Sequence, residues 1–99
     1  MTPEQILEKQ FSPLFLQYMK NRLIQGYHKY GSICDHHQEY DIMACIRKRL
    51  TSYEMTGNTE FLVYAANFLM FEFMFSQHPE GHFRATSTEE SPGIVRLPL

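Results

Sequence analysis

The chain has 99 residues, of which 43% are apolar, 14% aromatic and 20% charged. That is room for one domain with one modest core, and the profile excludes a disordered chain, a collagen-like repeat or a coiled-coil rod. A formal net charge of -2 excludes the basic excess of a general nucleic-acid binder.

The charge is unevenly spread. Residues 1–50 carry seven Lys/Arg against five Asp/Glu, and residues 51–99 carry two against six. A positive first half and a negative second half favour head-to-tail contacts or a basic patch near Arg47, Lys48 and Arg49. Cys34 and Cys45 lack Cys-x-x-Cys spacing and are too few for a disulfide scaffold, so both are expected to be reduced thiols, Cys45 in the core. The opening Met-Thr-Pro-Glu-Gln has no basic stretch followed by an apolar one, so no signal peptide and a cytoplasmic location are expected.

Thr2-Pro3-Glu4-Gln5 predicts a helix start, with Thr2 as N-cap, Pro3 in the first turn and Gln5 reaching back to the cap. Ser12-Pro13 repeats the signal, so a short first helix should end near Gln10 and a second begin at Pro13. Phe15, Met19, Leu23 and Tyr27 follow helical spacing, and Gly31 closes the second helix. After a loop in which Ser32 and Asp35 could cap, Ile42, Ile46, Leu50 and Tyr53 give the third long segment an apolar stripe, with Arg47, Lys48 and Arg49 on the opposite flank. Gly57-Asn58-Thr59 closes that helix and opens the next, and so short a connection forces an antiparallel hairpin.

The next helix is expected from about Glu60 to Ser76, with Asn67 and Glu72 as its strongly polar members between Phe61 and Phe75. Fifteen residues rise only about 22 Å, short of a membrane span. A helix greasy on all sides needs cover on all sides, which predicts a homo-oligomer packed around it. Pro79 ends the helical part. The tail has no helical periodicity, yet Phe83, Ile94, Val95, Leu97 and Leu99 predict that it lies on the body or on a neighbouring subunit, with room for one short strand. The reading is therefore all-α: a small helical bundle built on an antiparallel hairpin (residues 1–78) with an extended C-terminal tail (residues 79–99).

Glu60, Tyr64 and Asn67 fall on one face of the last helix, where they either line a pocket for a polar ligand or serve as first-turn acid and interhelical hydrogen bond. Glu72 is offset from them and is expected to pair with Arg or Lys of the preceding helix. Tyr27, Lys29 and Tyr30 combine aromatic faces with a cation, a pattern suited to a stacked base with a phosphate beside it. The bland alternative is a helix C-terminus whose cations answer the dipole. His37 and Asp41 stand at a spacing that can share a metal, as do His78 and His82, although Pro79 and Gly81 break any helical presentation of the latter pair. His82 and Arg84 remain candidates for a ligand-touching loop. No phosphate loop, dinucleotide fingerprint, nucleophile elbow or His-Glu-x-x-His motif is present.

Three stretches carry a resemblance: Lys29-Tyr30-Gly31, the helix ending Arg49-Leu50-Thr51-Ser52-Tyr53, and Thr56-Gly57-Asn58-Thr59-Glu60 through Ala65-Ala66-Asn67. Across roughly residues 20–75 the chain resembles small bacteriophage and prophage proteins and the helical hairpin of MazG-type nucleoside triphosphate pyrophosphohydrolases and the related dATP/dGTP diphosphohydrolases. His78 to Arg84 and Glu90 to Gly93 resemble the phage group alone. The enzymes bind Mg²⁺ through Glu-x-x-Glu on one helix and Glu-x-x-Asp on the next, and neither pair stands in this chain. The resemblance thus implies a non-catalytic phage-type binding protein that sequesters a nucleotide-like ligand or blocks a host defence factor. Its candidate ligand residues are Tyr27, Lys29, Tyr30, Glu60, Tyr64, Asn67, His82 and Arg84, with no metal or other cofactor. The alternatives are an atypical Mg²⁺-dependent pyrophosphohydrolase using Glu60 and Glu72 with Glu39 and Asp41, and an adaptor that binds only protein through its apolar last helix.

Overall fold

A computed structural model describes residues 1–98, and it is all-α, with no strand among the described residues. Five α-helices follow in order: α1 (Pro3–Gln10), α2 (Pro13–Tyr30), α3 (Ile33–His36), α4 (Ile42–Thr56) and α5 (Glu60–Met74), with a 3-10 turn at His37–Glu39 between α3 and α4. Helix α5 stops at Met74 rather than Ser76, because Ser76 and the Gln77 N–H turn back onto Glu72.

The starts of α1, α2 and α4 are set by side chains that satisfy helix N–H groups left without a partner. Thr2 Oγ1 accepts from the Gln5 N–H at 3.2 Å while Gln5 Oε1 accepts from the Thr2 N–H at 2.8 Å, a reciprocal capping box. Ser12 caps α2 through the Phe15 N–H at 3.0 Å. Asp41 caps α4 through the Ala44 N–H at 3.0 Å, so it stands outside the helix, and His37 in the 3-10 turn does not share a helical face with it. Asp35 lies inside α3, which Ser32 caps.

The α4–α5 hairpin is the body of the fold. Gly57 takes φ +73°, a left-handed conformation that a side chain would disfavour, and ends α4 with its N–H on the Tyr53 carbonyl at 2.7 Å. Asn58 rather than Thr59 serves the start of α5, its Oδ1 accepting from the Glu60 N–H at 3.1 Å. At the other end Gln77 ties the two helices together: its Nε2 donates to the Tyr40 carbonyl at 2.7 Å, and its Oε1 accepts from the Ile42 N–H at 3.1 Å. The His37 ring stacks on Phe75 beside this clasp at 4.2 Å between centroids.

The buried apolar core is small and comes from the hairpin alone: Ile42 and Ile46 of α4 against Val63 and Ala65 of α5. Leu50, read as part of the α4 stripe, is exposed. At 100° per residue it lies about 80° from Ile42, whereas Arg49 lies within about 20° of it. Arg49 therefore faces the body, and Arg47 and Lys48 stay on the solvent side. Helix α2 packs on α5 through its second half, whereas residues 1–18 are all exposed. The apolar residues expected to hold the tail on the body are exposed as well, Val95 at 98%, and Phe83 meets only the rim of α5 through the Phe73 ring. Leu99 lies outside the described residues.

Candidate functional site

A half-open groove of about 700 Å³ lies between the second half of α2, the α3 segment and the inner faces of α4 and α5. That volume falls within the range of small-molecule sites. Its wall joins residues far apart in sequence: Tyr27, Lys29 and Tyr30 from the end of α2, His36 and Tyr40 from the linker, Cys45 and Arg49 from α4, Tyr64, Asn67 and Phe68 from α5.

The electrostatic centre is a pair of guanidiniums on one ring. The Arg22 guanidinium lies 3.7 Å from the centroid of Tyr64, and that of Arg49 lies 5.2 Å from the same centroid and 4.4 Å from that of Phe68. Two like charges converging on one tyrosine repel each other, and the aromatic faces offset this in part. Glu60 pairs with Arg22 at 3.3 Å and neutralises one of the two. Arg49 has no carboxylate partner among the described residues; its Nη1 donates to the Cys45 carbonyl at 3.0 Å. The Nε–H groups of both arginines are enclosed without an acceptor from the chain.

Asn67 lies beneath them with only 5% of its surface exposed. Its Nδ2 donates to the Met19 carbonyl in α2 at 3.1 Å, while its Oδ1 finds no donor in the chain. A buried amide oxygen left unpaired costs on the order of 1–3 kcal/mol. The wall of the groove thus encloses cationic N–H donors and an amide acceptor that find no partner among the described residues. At its outer end the Lys29 ammonium sits 5.0 Å from the centroid of Tyr30.

The stripe Glu60, Tyr64 and Asn67 does act as one face, and what it faces is α2: Glu60 meets Arg22, Tyr64 meets Arg22, and Asn67 meets Met19. Of the residues proposed from sequence, Tyr27, Lys29, Tyr30, Tyr64 and Asn67 come together in the groove. Glu60 stands beside it as the partner of Arg22. His82 and Arg84 lie elsewhere. Arg84 closes a turn of the tail with Glu90, and the His82 Nδ1 bonds the Glu80 carbonyl at 2.8 Å. The Arg84 guanidinium, and then the Ser87 N–H, hold the Glu90 carboxyl below the usual carboxylate range. Sequence reasoning missed Arg22 and the inward turn of Arg49. The signal for Arg49 was the seven-residue offset from Ile42, obscured by the two cations before it.

A second, shallower depression of about 790 Å³ runs past Glu39, Asp41, Glu72 and His78. Most of these polar groups are engaged, but the Glu72 Oε1 is enclosed without a donor among the described residues. Asp41 caps α4, Glu39 bonds the His36 ring at 3.0 Å, and the His78 Nδ1 accepts from the Glu80 N–H. Glu72 accepts from Ser76 and Gln77 instead of pairing with a cation of α4. Among the described residues no three His, Cys, Asp or Glu side chains gather as a metal ion would need. No helix is long and apolar enough to cross a membrane.

Comparison with known proteins finds no matching family model, no matching curated protein and no matching solved structure.

Proposed function

We propose that this chain is a non-catalytic binding protein that holds a nucleotide-like ligand in the groove between α2, α4 and α5. The observation that carries the reading is the convergence of Arg22 and Arg49 on Tyr64, with enclosed Nε–H groups that no group of the chain accepts. Guanidiniums bind phosphate oxygens through charge-assisted, often paired hydrogen bonds. Tyr27, Tyr30 and Phe68 supply flat apolar surface for a base, and base stacking on aromatic rings contributes about 1–3 kcal/mol per base. Asn67 Oδ1, enclosed in the wall without a donor among the described residues, would take the amine of a base or a sugar hydroxyl once the side chains over it part. A ligand with an anionic end and a flat, hydrogen-bonding end answers all three features together.

The hydrolytic alternative requires carboxylates gathered around Mg²⁺. Here Glu60 and Glu72 stand about 18 Å apart along α5, Glu39 and Asp41 are engaged in local hydrogen bonds, and Glu72, whose Oε1 has no donor among the described residues, has no second acid gathered with it as a metal ion would need. Sequestration, as the likeness to small phage proteins implies, needs only the groove, and a host defence signal of nucleotide type is the role that fits it.

The test is a thermal-shift screen of the purified protein against linear and cyclic nucleotides, with and without Mg²⁺, followed by chromatography of the recovered ligand. The reading predicts a higher melting temperature with at least one nucleotide, independent of Mg²⁺, and recovery of that nucleotide intact. Mg²⁺-dependent conversion to monophosphate and pyrophosphate would overturn it in favour of the enzyme. No shift with any nucleotide would overturn it in favour of a protein partner.

A further inference from the structure

We infer that the N-terminal arm, α1 with the first turns of α2, packs on the outer face of α5 in a second copy of this chain. The inference stands apart from the ligand reading and rests on surface area and on where the apolar residues lie.

A compact monomer of this mass exposes roughly 5,900 Å² and has a radius of gyration of about 13 Å. This chain exposes 8660 Å², with a radius of gyration of 16.1 Å. The excess is roughly 2,800 Å² per chain; the extended tail, exposed throughout, supplies part of it, and a standard interface needs only about 800 Å² from each partner. A single chain that buries four apolar side chains has left most of its core-forming surface outside.

Two parts of that surface lie outside the tail, and of the tail only the Phe83 ring reaches one of them, at Phe73. The first is the arm. Residues 1–18 contain no buried or half-buried side chain, yet α1 is fully capped and α2 begins in register. An eight-residue helix is marginal in water unless its apolar side is packed. Ile6, Leu7, Phe11, Leu14 and Phe15 supply such a side, and all are exposed. The second part is the outer face of α5, where Leu69 and Phe73 stand one turn apart and are exposed at 53% and 73%. Helix α2 is continuous and packs on its own α5 only from Met19 onward, so the arm is carried away from the face that it would fit. In a second copy that restriction disappears. A reciprocal pair, arm on face and face on arm, closes with two-fold symmetry and leaves neither part open.

Both parts are exposed in the single chain, so a charge placed on either one enters no buried core of that chain. The experiment is sedimentation equilibrium at micromolar concentration on the wild type, on L7E/F11E in the arm, and on L69E/F73E on α5, with circular dichroism to confirm helicity. The wild type is expected at a multiple of 11.7 kDa, and each variant should associate about thirtyfold more weakly or worse, as when a central interface residue is lost. Mixing the two variants should restore a heteromer, because the arm of one and the face of the other are intact. A monomeric wild type would overturn the inference, as would variants that keep the wild-type mass. Two dissociated variants that fail to associate on mixing would overturn the pairing of arm with face.

Discussion

Asn67 bonds the α2 backbone with its amide nitrogen while its oxygen is enclosed without a donor among the described residues, so one residue both fixes the helix crossing and leaves an acceptor unpaired in the groove wall. Its spacing from Glu60 and Tyr64 was legible in the sequence as a shared face. Which neighbour the face would meet was not, because no local pattern specifies how α2 crosses α5. Arg49 was obscured for a related reason: three consecutive cations look alike, and only the helical angle relative to Ile42 separates the one that turns inward. Gly26 is the residue where stability and function should part. It sits inside α2 on the groove wall, and a Cβ added there meets nothing within 4 Å. Gly within a helix is less stable than Ala by about 0.5–1 kcal/mol. Gly26→Ala should therefore raise the unfolding free energy by about that amount in urea titration, while its methyl group narrows the groove and weakens nucleotide binding.

Most element boundaries are legible in this chain, because short capping patterns write them; the cap of α4 at Asp41 and the end of α5 at Met74 were not. Thr2, Ser12 and Asp41 hold the starts of α1, α2 and α4, and Gly31 and Gly57 take the positive φ at the ends of α2 and α4. The hairpin follows from the shortness of Gly57-Asn58-Thr59. The packing of the tail was not legible, since apolar composition alone predicts burial without saying against what. The tail instead holds itself with the Arg84–Glu90 pair. Because the Glu90 carboxyl lies below its ordinary range, the pair is intact above the carboxylate pKa of the unfolded chain and is lost as pH falls through the lowered value. A carbon-detected NMR titration should place the Glu90 midpoint below those of free carboxylates, and Arg84→Ala should move it up towards the ordinary range, the Ser87 N–H still holding part of the shift. An unchanged midpoint in Arg84→Ala would exclude the guanidinium as the cause.

At the scale of the molecule, the hairpin supplies the buried core and one side of the groove, and much apolar surface beyond the hairpin is left open. The apolar run Phe61 to Phe75 predicted self-association because nothing in so short a chain could cover it. Only one side is covered, by α4 and α2, while Leu69, Phe73 and Met74 remain open. If a second copy covers the rest, folding and association are linked, and the melting temperature of the wild type should rise with protein concentration. For L69E/F73E it should stay constant. The proposed ligand binding depends on a different set of side chains, so the two claims can fail separately.

The central claim is that Arg22 and Arg49 hold the anionic end of a ligand over Tyr64. Its most direct test is isothermal titration of the best nucleotide from the screen, and of its dephosphorylated nucleoside, into the wild type and R22M/R49M. Methionine keeps much of the apolar stem while removing both charges. The account predicts that the nucleotide binds the wild type at least about a hundredfold more tightly than the nucleoside, and that the double variant loses this difference, each charge-assisted contact contributing about 1.5–3 kcal/mol. Equal affinity for nucleotide and nucleoside in the wild type, or a nucleotide affinity unchanged in R22M/R49M, would contradict it.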